Sequence, residues 1–95
     1  EIIESIVSEY DLETGFVGQL RMRRFDRAGA RRILNAIRRI SPEGDVVDIR
    51  TARHLYAIAI LAYWQRERLP SGEQCDLDEF VDRLFEVCVH ALGAP

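Results

Sequence analysis

Residues 76–92, DLDEFVDRLFEVCVHAL, are the stretch that decides the fold class. Their apolar side chains recur at the spacing of one helix face, which is formed by Leu77, Phe80, Val81, Leu84, Cys88, Ala91 and Leu92. Asp76 is expected to cap this helix, because Glu79 follows it at the capping-box spacing. Gly93 and Pro95 predict where the helix ends. The segment is therefore an amphipathic helix that needs other helices to cover its apolar face.

Two further helices are predicted upstream of this segment. One runs from Asp26, a favourable N-cap residue, to Ile40. The other begins near Asp48 or Thr51 and ends near Leu69. Its second half is apolar nearly all round, which favours a central position in the fold. Proline and glycine break the chain at 41–45 and again at 70–72.

The N-terminal region predicts a helix that bends or breaks near Thr14 and Gly15. Since the sequence has no alternating strand pattern, we predict an all-α fold. Its architecture is a compact antiparallel bundle of four to five helices with a bent or broken N-terminal helix. Residues 1–95 are expected to form a single helical domain. Because the chain starts at Glu1 without a methionine, we also expect it to be excised from a longer protein.

The predicted core draws on the three long helices, and it comprises Ile33, Ile37, Leu55, Ile58, Ala59, Ala62, Leu84 and Cys88. Trp64 falls on the opposite side of its helix from Leu55 and Ala62. Either another helix covers this tryptophan, or it belongs to an exposed apolar patch at an interface. Because the helix is apolar all round at that point, we predict that Trp64 is buried.

Charge is segregated along the chain. All 13 basic residues are arginine, and eight of them fall between Arg21 and Arg39, where Asp26 is the only acid. Residues 1–20 carry five acids and no base, and residues 69–95 carry six acids against Arg83. The arginines predicted to point away from the apolar stripe of their helix are Arg27, Arg31, Arg32, Arg38 and Arg39. Such a band is either a solvated helix face or a contact surface.

No pattern of catalytic, cofactor-binding or metal-binding residues accompanies this charge. His54 and His90 are expected on polar helix faces, and neither has a sequence-local partner, so no enzyme is predicted. Cys88 and His90 point to different sides of a helix, and the sequence has no second ligand pair for zinc. The sequence also lacks a glycine-rich phosphate loop. We therefore expect neither a cofactor nor a metal.

The composition favours a reducing compartment. Cys75 and Cys88 are expected to be free thiols, because two cysteines make no disulfide framework. The longest apolar run has ten residues, 55–64, and a membrane-spanning helix needs about 20. No basic stretch followed by an apolar run marks a secretion signal at the N-terminus. The predicted location is the cytoplasm.

We expect a non-catalytic adaptor or assembly module that binds a protein partner through charged faces. Arginine suits such contacts, because its planar guanidinium pairs with carboxylates through two hydrogen bonds. The predicted contact residues are Arg24, Arg27, Arg31 and Arg38 on one side and Asp78, Asp82 and Glu86 on the other. The partner is a second copy or an acidic domain of another protein. Whether the acids lie beside the arginines within one bundle stays open at this point.

In broad plan, a short helical bundle with a bent first helix and opposed charged faces looks like the death-fold adaptor domains. The resemblance covers the plan and no sequence motif. It implies assembly through two unlike faces, a head-to-tail contact that forms rings or open filaments.

Two alternative functions use the same charges. A nucleic-acid-binding domain would contact phosphates through Arg21, Arg23, Arg24, Arg27, Arg31 and Arg38. The net charge of −3 disfavours this hypothesis, because nucleic-acid-binding domains are usually basic overall. A small inhibitor or immunity-type protein would instead use the acidic terminal segments against a basic toxin.

Overall fold

The computed structural model describes residues 2–40 and 47–93. Five α-helices form in these ranges: α1 (Ile2–Val7), α2 (Phe16–Arg21), α3 (Arg27–Arg38), α4 (Ile49–Gln65) and α5 (Ser71–Leu92). Short 3-10 turns, Ser8–Tyr10 and Arg66–Arg68, follow α1 and α4. The all-α bundle and its broken N-terminal helix are confirmed. The predicted chain break at 41–45 lies outside the described residues.

The N-terminal helix breaks at a turn built by Asp11. Its Oδ1 accepts hydrogen bonds from the backbone N–H groups of Thr14 and Glu13, both at 2.9 Å. These hydrogen bonds from Thr14 and Glu13 hold the pKa of Asp11 below its ordinary value. The chain then doubles back so closely that a Cβ on Gly18 would lie 2.0 Å from the carbonyl oxygen of Asp11. The close approach of α2 to this turn therefore requires glycine at position 18.

A buried carboxylate, Glu9, joins the segment after α1 to α2 and α3. Only 3% of Glu9 is exposed. Its Oε1 accepts a hydrogen bond from the Phe16 N–H, which begins α2, at 3.0 Å. Arg32 of α3 donates to both carboxylate oxygens, from Nε at 2.7 Å and from Nη2 at 3.0 Å. Arg32 lies away from the apolar stripe of α3, as predicted, but its half-exposed side chain turns towards Glu9, a contact that the sequence did not indicate.

The observed starts of α3 and α4 lie close to the predicted ones. Asp26 occupies the N-cap position of α3, but its side chain makes no capping hydrogen bond. Its Oδ2 lies 3.4 Å from Nη2 of Arg32 instead. The Oδ1 atom of Asp48 accepts a hydrogen bond from the Thr51 N–H at 2.8 Å and so caps α4, which begins at Ile49, between the two predicted starting positions. This hydrogen bond holds the pKa of Asp48 below its ordinary value.

The start of α5 was predicted wrongly. The helix begins at Ser71, five residues before Asp76, with Pro70 in the N-cap position. Proline is compatible with the start of a helix, because the first N–H groups of a helix have no intrahelical acceptor. The missing N–H of Pro70 therefore costs no hydrogen bond. Asp76 therefore lies inside α5 and is not its cap. Its Oδ2 lies 3.0 Å from Nη2 of Arg27.

Most of the predicted core is confirmed, since Ile33, Ile37, Leu55, Ile58, Ala62 and Leu84 are buried. The N-terminal segment adds Ile6, Phe16, Val17 and Leu20 to this core. The Phe16 ring lies 4.8 Å from the Phe80 ring and 5.7 Å from the Phe25 ring, between centroids. These ring contacts connect the short α2 to α5.

Two predictions of burial, Ala59 and Trp64, are wrong, and a third is met only in part, because Cys88 packs against the core without being fully buried. Ala59 is exposed, Cys88 of α5 is only half-buried, and Trp64 is 65% exposed. The helix is apolar on several sides, as predicted, but the bundle covers one of them, the side of Leu55 and Ile58. Helix α4 therefore has a second apolar face that no other part of the described chain covers.

Glycine substitutions test the close approach at α2. We expect Gly18→Ala to lower the free energy of unfolding by about 1–3 kcal/mol, because the new methyl group overlaps backbone atoms of Asp11 and Leu12. Gly72→Ala is the matched control, since a Cβ there meets no atom within 4 Å. This variant is expected to be neutral or to stabilise α5 by up to about 1 kcal/mol. Urea unfolding of both variants measures the difference, and equal effects would contradict the structure.

Adjacent arginines test the role of Glu9. We expect Arg32→Ala to cost about 1–3 kcal/mol of unfolding free energy, because it leaves a buried carboxylate without its charged partner. Arg31→Ala should change that free energy by less than about 0.5 kcal/mol, since Arg31 is exposed. Both changes remove one guanidinium from the same helix, so their net charge effects match. Equal midpoints in urea would show that Glu9 does not depend on Arg32.

Candidate interaction surfaces

The arginines of α3 separate into two groups. Arg27, Arg31 and Arg38 lie on the side of α5. Arg32 and Arg39 lie on the side of α1, where Nη2 of Arg39 is 3.1 Å from the Ser5 hydroxyl. The two groups arise because α3 packs between α1 and α5. The predicted single band is therefore divided over two sides of the helix.

The first group lines a shallow depression of about 260 Å³ between α3 and α5. Its arginines are Arg27, Arg31, Arg38 and Arg83, and we call these four residues the arginine face. Its apolar lining comprises Phe25, Ala30, Leu34 and Phe80, and its acids are Asp76 and Glu79. Arg24 is exposed just before α3 and does not line the depression. Arg83 was missed by the sequence analysis, although it is the only base in the acidic segment 69–95.

In the lining of the depression, positive charge exceeds negative charge, because the four residues of the arginine face stand against two acids. Arg27 forms an ion pair with Asp76, and Nη1 of Arg38 lies 3.3 Å from the Asn35 side-chain oxygen. Within residues 2–40 and 47–93, Arg31 has neither an ion pair nor a side-chain hydrogen bond. The face therefore has guanidinium groups available to carboxylates from outside the molecule.

The predicted acidic residues lie elsewhere on α5. Asp78 binds Arg66 through two hydrogen bonds of 2.8 and 2.9 Å, which hold the pKa of Asp78 below its ordinary value. Asp82 is exposed near Tyr63, on the side of α4. Glu86 lies 3.4 Å from Arg83 of its own helix. Asp78 and Asp82 thus face away from Arg31 and Arg38, and a contact between the two sets needs two molecules.

An apolar groove of about 560 Å³ lies between α4 and α5. Its lining residues are Ala52, Arg53, Leu55, Tyr56, Ala59, Val81, Leu84, Phe85, Cys88 and Leu92. Tyr56 is 71% exposed and Phe85 is 67% exposed. The groove adjoins a smaller one of about 230 Å³ that shares Ala59 and Val81 and reaches the Arg66–Asp78 pair. Exposed apolar surface of this extent is typical of interaction sites. The groove was not predicted from the sequence. The feature that indicates it is the run of apolar residues on nearly all sides of the second half of α4.

The titratable side chains form no recognisable reaction centre in the part of the chain that the structure describes. Nδ1 of His54 lies 2.8 Å from the Arg50 carbonyl oxygen. The Tyr10 hydroxyl donates to the His54 carbonyl, and burial raises the pKa of Tyr10 to about 12. Cys75 and Cys88 are free thiols, and burial raises the pKa of Cys88.

Residues 2–40 and 47–93 contain no group of three histidine, cysteine or acidic residues arranged to hold a metal ion. None of their helices combines the length and the hydropathy of a membrane span.

No family model matches this chain, and no curated protein or solved structure is significantly similar to it. The plan-level resemblance to the death-fold adaptor domains stays a prediction. The features from which a function can be inferred are the two surfaces beside α5: the arginine face on the side of α3 and the apolar groove on the side of α4.

Proposed function

We propose that this domain is a non-catalytic protein-interaction module that docks its arginine face onto an acidic surface of a partner. That partner is another domain or a second copy of this chain. The observation that carries the proposal is the excess of guanidinium groups in the depression between α3 and α5, where Arg31 has no acidic partner among the described residues.

The composition of the depression suits a protein ligand. Phe25, Leu34 and Phe80 supply apolar surface beside the arginines. Interfaces commonly combine aromatic residues and arginine in this way. A phosphate backbone has no apolar groups that could cover Phe25 and Leu34 in the same depression. A folded partner that presents carboxylates next to apolar side chains fits the depression better than a nucleic acid does.

A second copy of the chain presents suitable acids at Asp78, Asp82 and Glu86. Of these, Asp82 has no ion pair within the described ranges. Because this surface and the arginine face differ, such a contact is head-to-tail and grows beyond a dimer. Charge pairs of this kind steer encounter and weaken as salt screens them. The predicted assembly is therefore concentration-dependent and salt-sensitive.

Charge reversal tests this proposal. The head-to-tail contact should produce species larger than a dimer at low salt. We expect Arg31→Glu to abolish these larger species, and Asp82→Arg to do the same. A mixture of the two variants should recover association if these residues face each other. Sedimentation velocity at low and high salt measures the assembly, and circular dichroism confirms the fold. Arg68→Glu is the matched control, because Arg68 is exposed and lies outside both surfaces.

Two results would count against the proposal. Wild-type protein that never exceeds a dimer at low salt would exclude a second copy as the acidic partner. Retention of the wild type on DNA that Arg31→Glu removes would favour the nucleic-acid alternative instead.

A further inference from the structure

The outward side of α4 carries a second apolar stripe. Ile49, Ala52, Tyr56, Ala59 and Tyr63 follow one another in steps of three and four residues, and all five are exposed. This is the spacing of a helix that packs against other helices along a seam. The core stripe of Leu55, Ile58 and Ala62 faces the bundle and lies next to the exposed stripe on the same helix. One helix therefore has two packing faces, of which the described chain fills one.

The neighbouring helix α5 presents a matching stripe to the same groove. Val81, Phe85, Cys88 and Leu92 follow one another in steps of four, three and four residues. Phe85 and Leu92 are exposed, and Val81 and Cys88 are half-buried. The exposed face is thus a pair of helices with heptad-like stripes, which is half of a four-helix bundle.

Large and small side chains alternate across this groove. The smaller groove joins Tyr63 to Asp78 and Val81, near the end of α4 and the start of α5, whereas the larger groove extends to Ala52 and Leu92, so the two helices run antiparallel. The ion pair between Arg66, just after α4, and Asp78 marks one level of their register. Because both helices rise equally per residue, counting from this pair gives the levels: Tyr63 with Val81, Ala59 with Phe85, Tyr56 with Cys88, and Ala52 with Leu92. The bulkier side chain alternates between the two helices from one level to the next. Alternation of this kind lets facing layers interdigitate.

We propose that a second copy of this chain covers the groove in a closed, two-fold symmetric dimer. When the two-fold axis passes between the levels of Tyr56 and Ala59, each large residue lies opposite a small residue of the second copy. The pairs, each formed with the second copy, are Tyr56 with Ala59, Tyr63 with Ala52, Phe85 with Cys88, and Leu92 with Val81. The two α4 helices and the two α5 helices then form an antiparallel four-helix core. This dimer goes beyond the proposed function, because it uses the opposite side of α5 from the arginine face.

The exposed apolar area is suitable for such a dimer. Tyr56, Tyr63 and Phe85, which line the two adjoining grooves, are each about two-thirds exposed or more. Aromatic side chains of this size bury about 150–250 Å² each, so these three expose on the order of 400 Å². A standard interface buries about 800 Å² on each partner, and interfaces at the low end bury less than about 600 Å². The exposed Ile49, Leu92 and alanines extend the patch towards the area of such a smaller interface.

A size swap tests both the dimer and its register. We expect wild-type protein to sediment as a dimer at low and at high salt, because apolar contacts are not screened. Tyr56→Ala and Ala59→Tyr should each raise the dimer dissociation constant by at least about tenfold. The double variant Tyr56→Ala/Ala59→Tyr should restore the constant to within about threefold of wild type. Only the antiparallel register places position 56 on position 59 of the other copy.

The controls separate this dimer from the arginine-face assembly. Ala28→Tyr is the matched control, because it makes the same change at an exposed alanine of α3 outside the groove. Arg31→Glu should leave the dimer intact even where it abolishes larger assemblies. A monomeric wild type at high protein concentration would overturn the dimer. A dimer that Arg31→Glu dissolves, or one that the double variant fails to restore, would overturn the proposed interface. Circular dichroism should show wild-type helix content for every variant, since positions 28, 31, 56 and 59 are exposed.

Discussion

Burial of the Glu9 carboxylate beneath Arg32 is the constraint from which the arrangement of the N-terminal half follows. An ionised carboxylate loses its hydration when it is buried, so it needs charged and hydrogen-bonding partners in its place. Arg32 and the Phe16 N–H supply them, from α3 and from the first residue of α2. One side chain thereby holds α2 against α3. With Arg32 directed towards α1, the helix presents Arg27, Arg31 and Arg38 on the side of α5.

The position of α5 then separates two surfaces with different physical chemistry. The arginine face on one side has excess charge and a partly apolar lining. The groove on the other side is lined by apolar residues and Arg53. Contacts at the arginine face depend on ionic strength, because salt screens charges. Contacts in the groove depend on the removal of apolar area from water. A dimer formed through the groove leaves the arginine face on the α3 side of α5 uncovered in both copies. Asp82, in contrast, lies beside Tyr63 and Val81 at the edge of the proposed dimer interface.

Helix α4 explains why a chain with a well-buried core still exposes so much apolar surface. Leu55, Ile58 and Ala62 fill the core from one side of the helix. Tyr56 and Tyr63, on the adjacent stripe of the helix, stay exposed, because the helices that contact α4 do not cover them. A scattered apolar residue on a surface needs no explanation, but a continuous stripe at helix-packing spacing does. A proposed second copy provides that stripe with a packing partner of matching size.

The helical class, the approximate helices and the core positions of α3 were determined by the sequence alone, because apolar periodicity is a local property. Ile33 and Ile37 are inside for this reason. Tertiary structure alone decided which side of α4 is covered, so Ala59 and Trp64 were misassigned: a helix that is apolar all round carries no signal for its inner side. It also decided that Arg32 pairs with the buried Glu9, whereas its neighbour Arg31 makes no ion pair within the described residues. The sequence could not predict this difference, because both are arginines on one polar helix face. Only the position of Glu9, distant along the chain, distinguishes the two, because a buried carboxylate requires a partner from whichever helix packs over it.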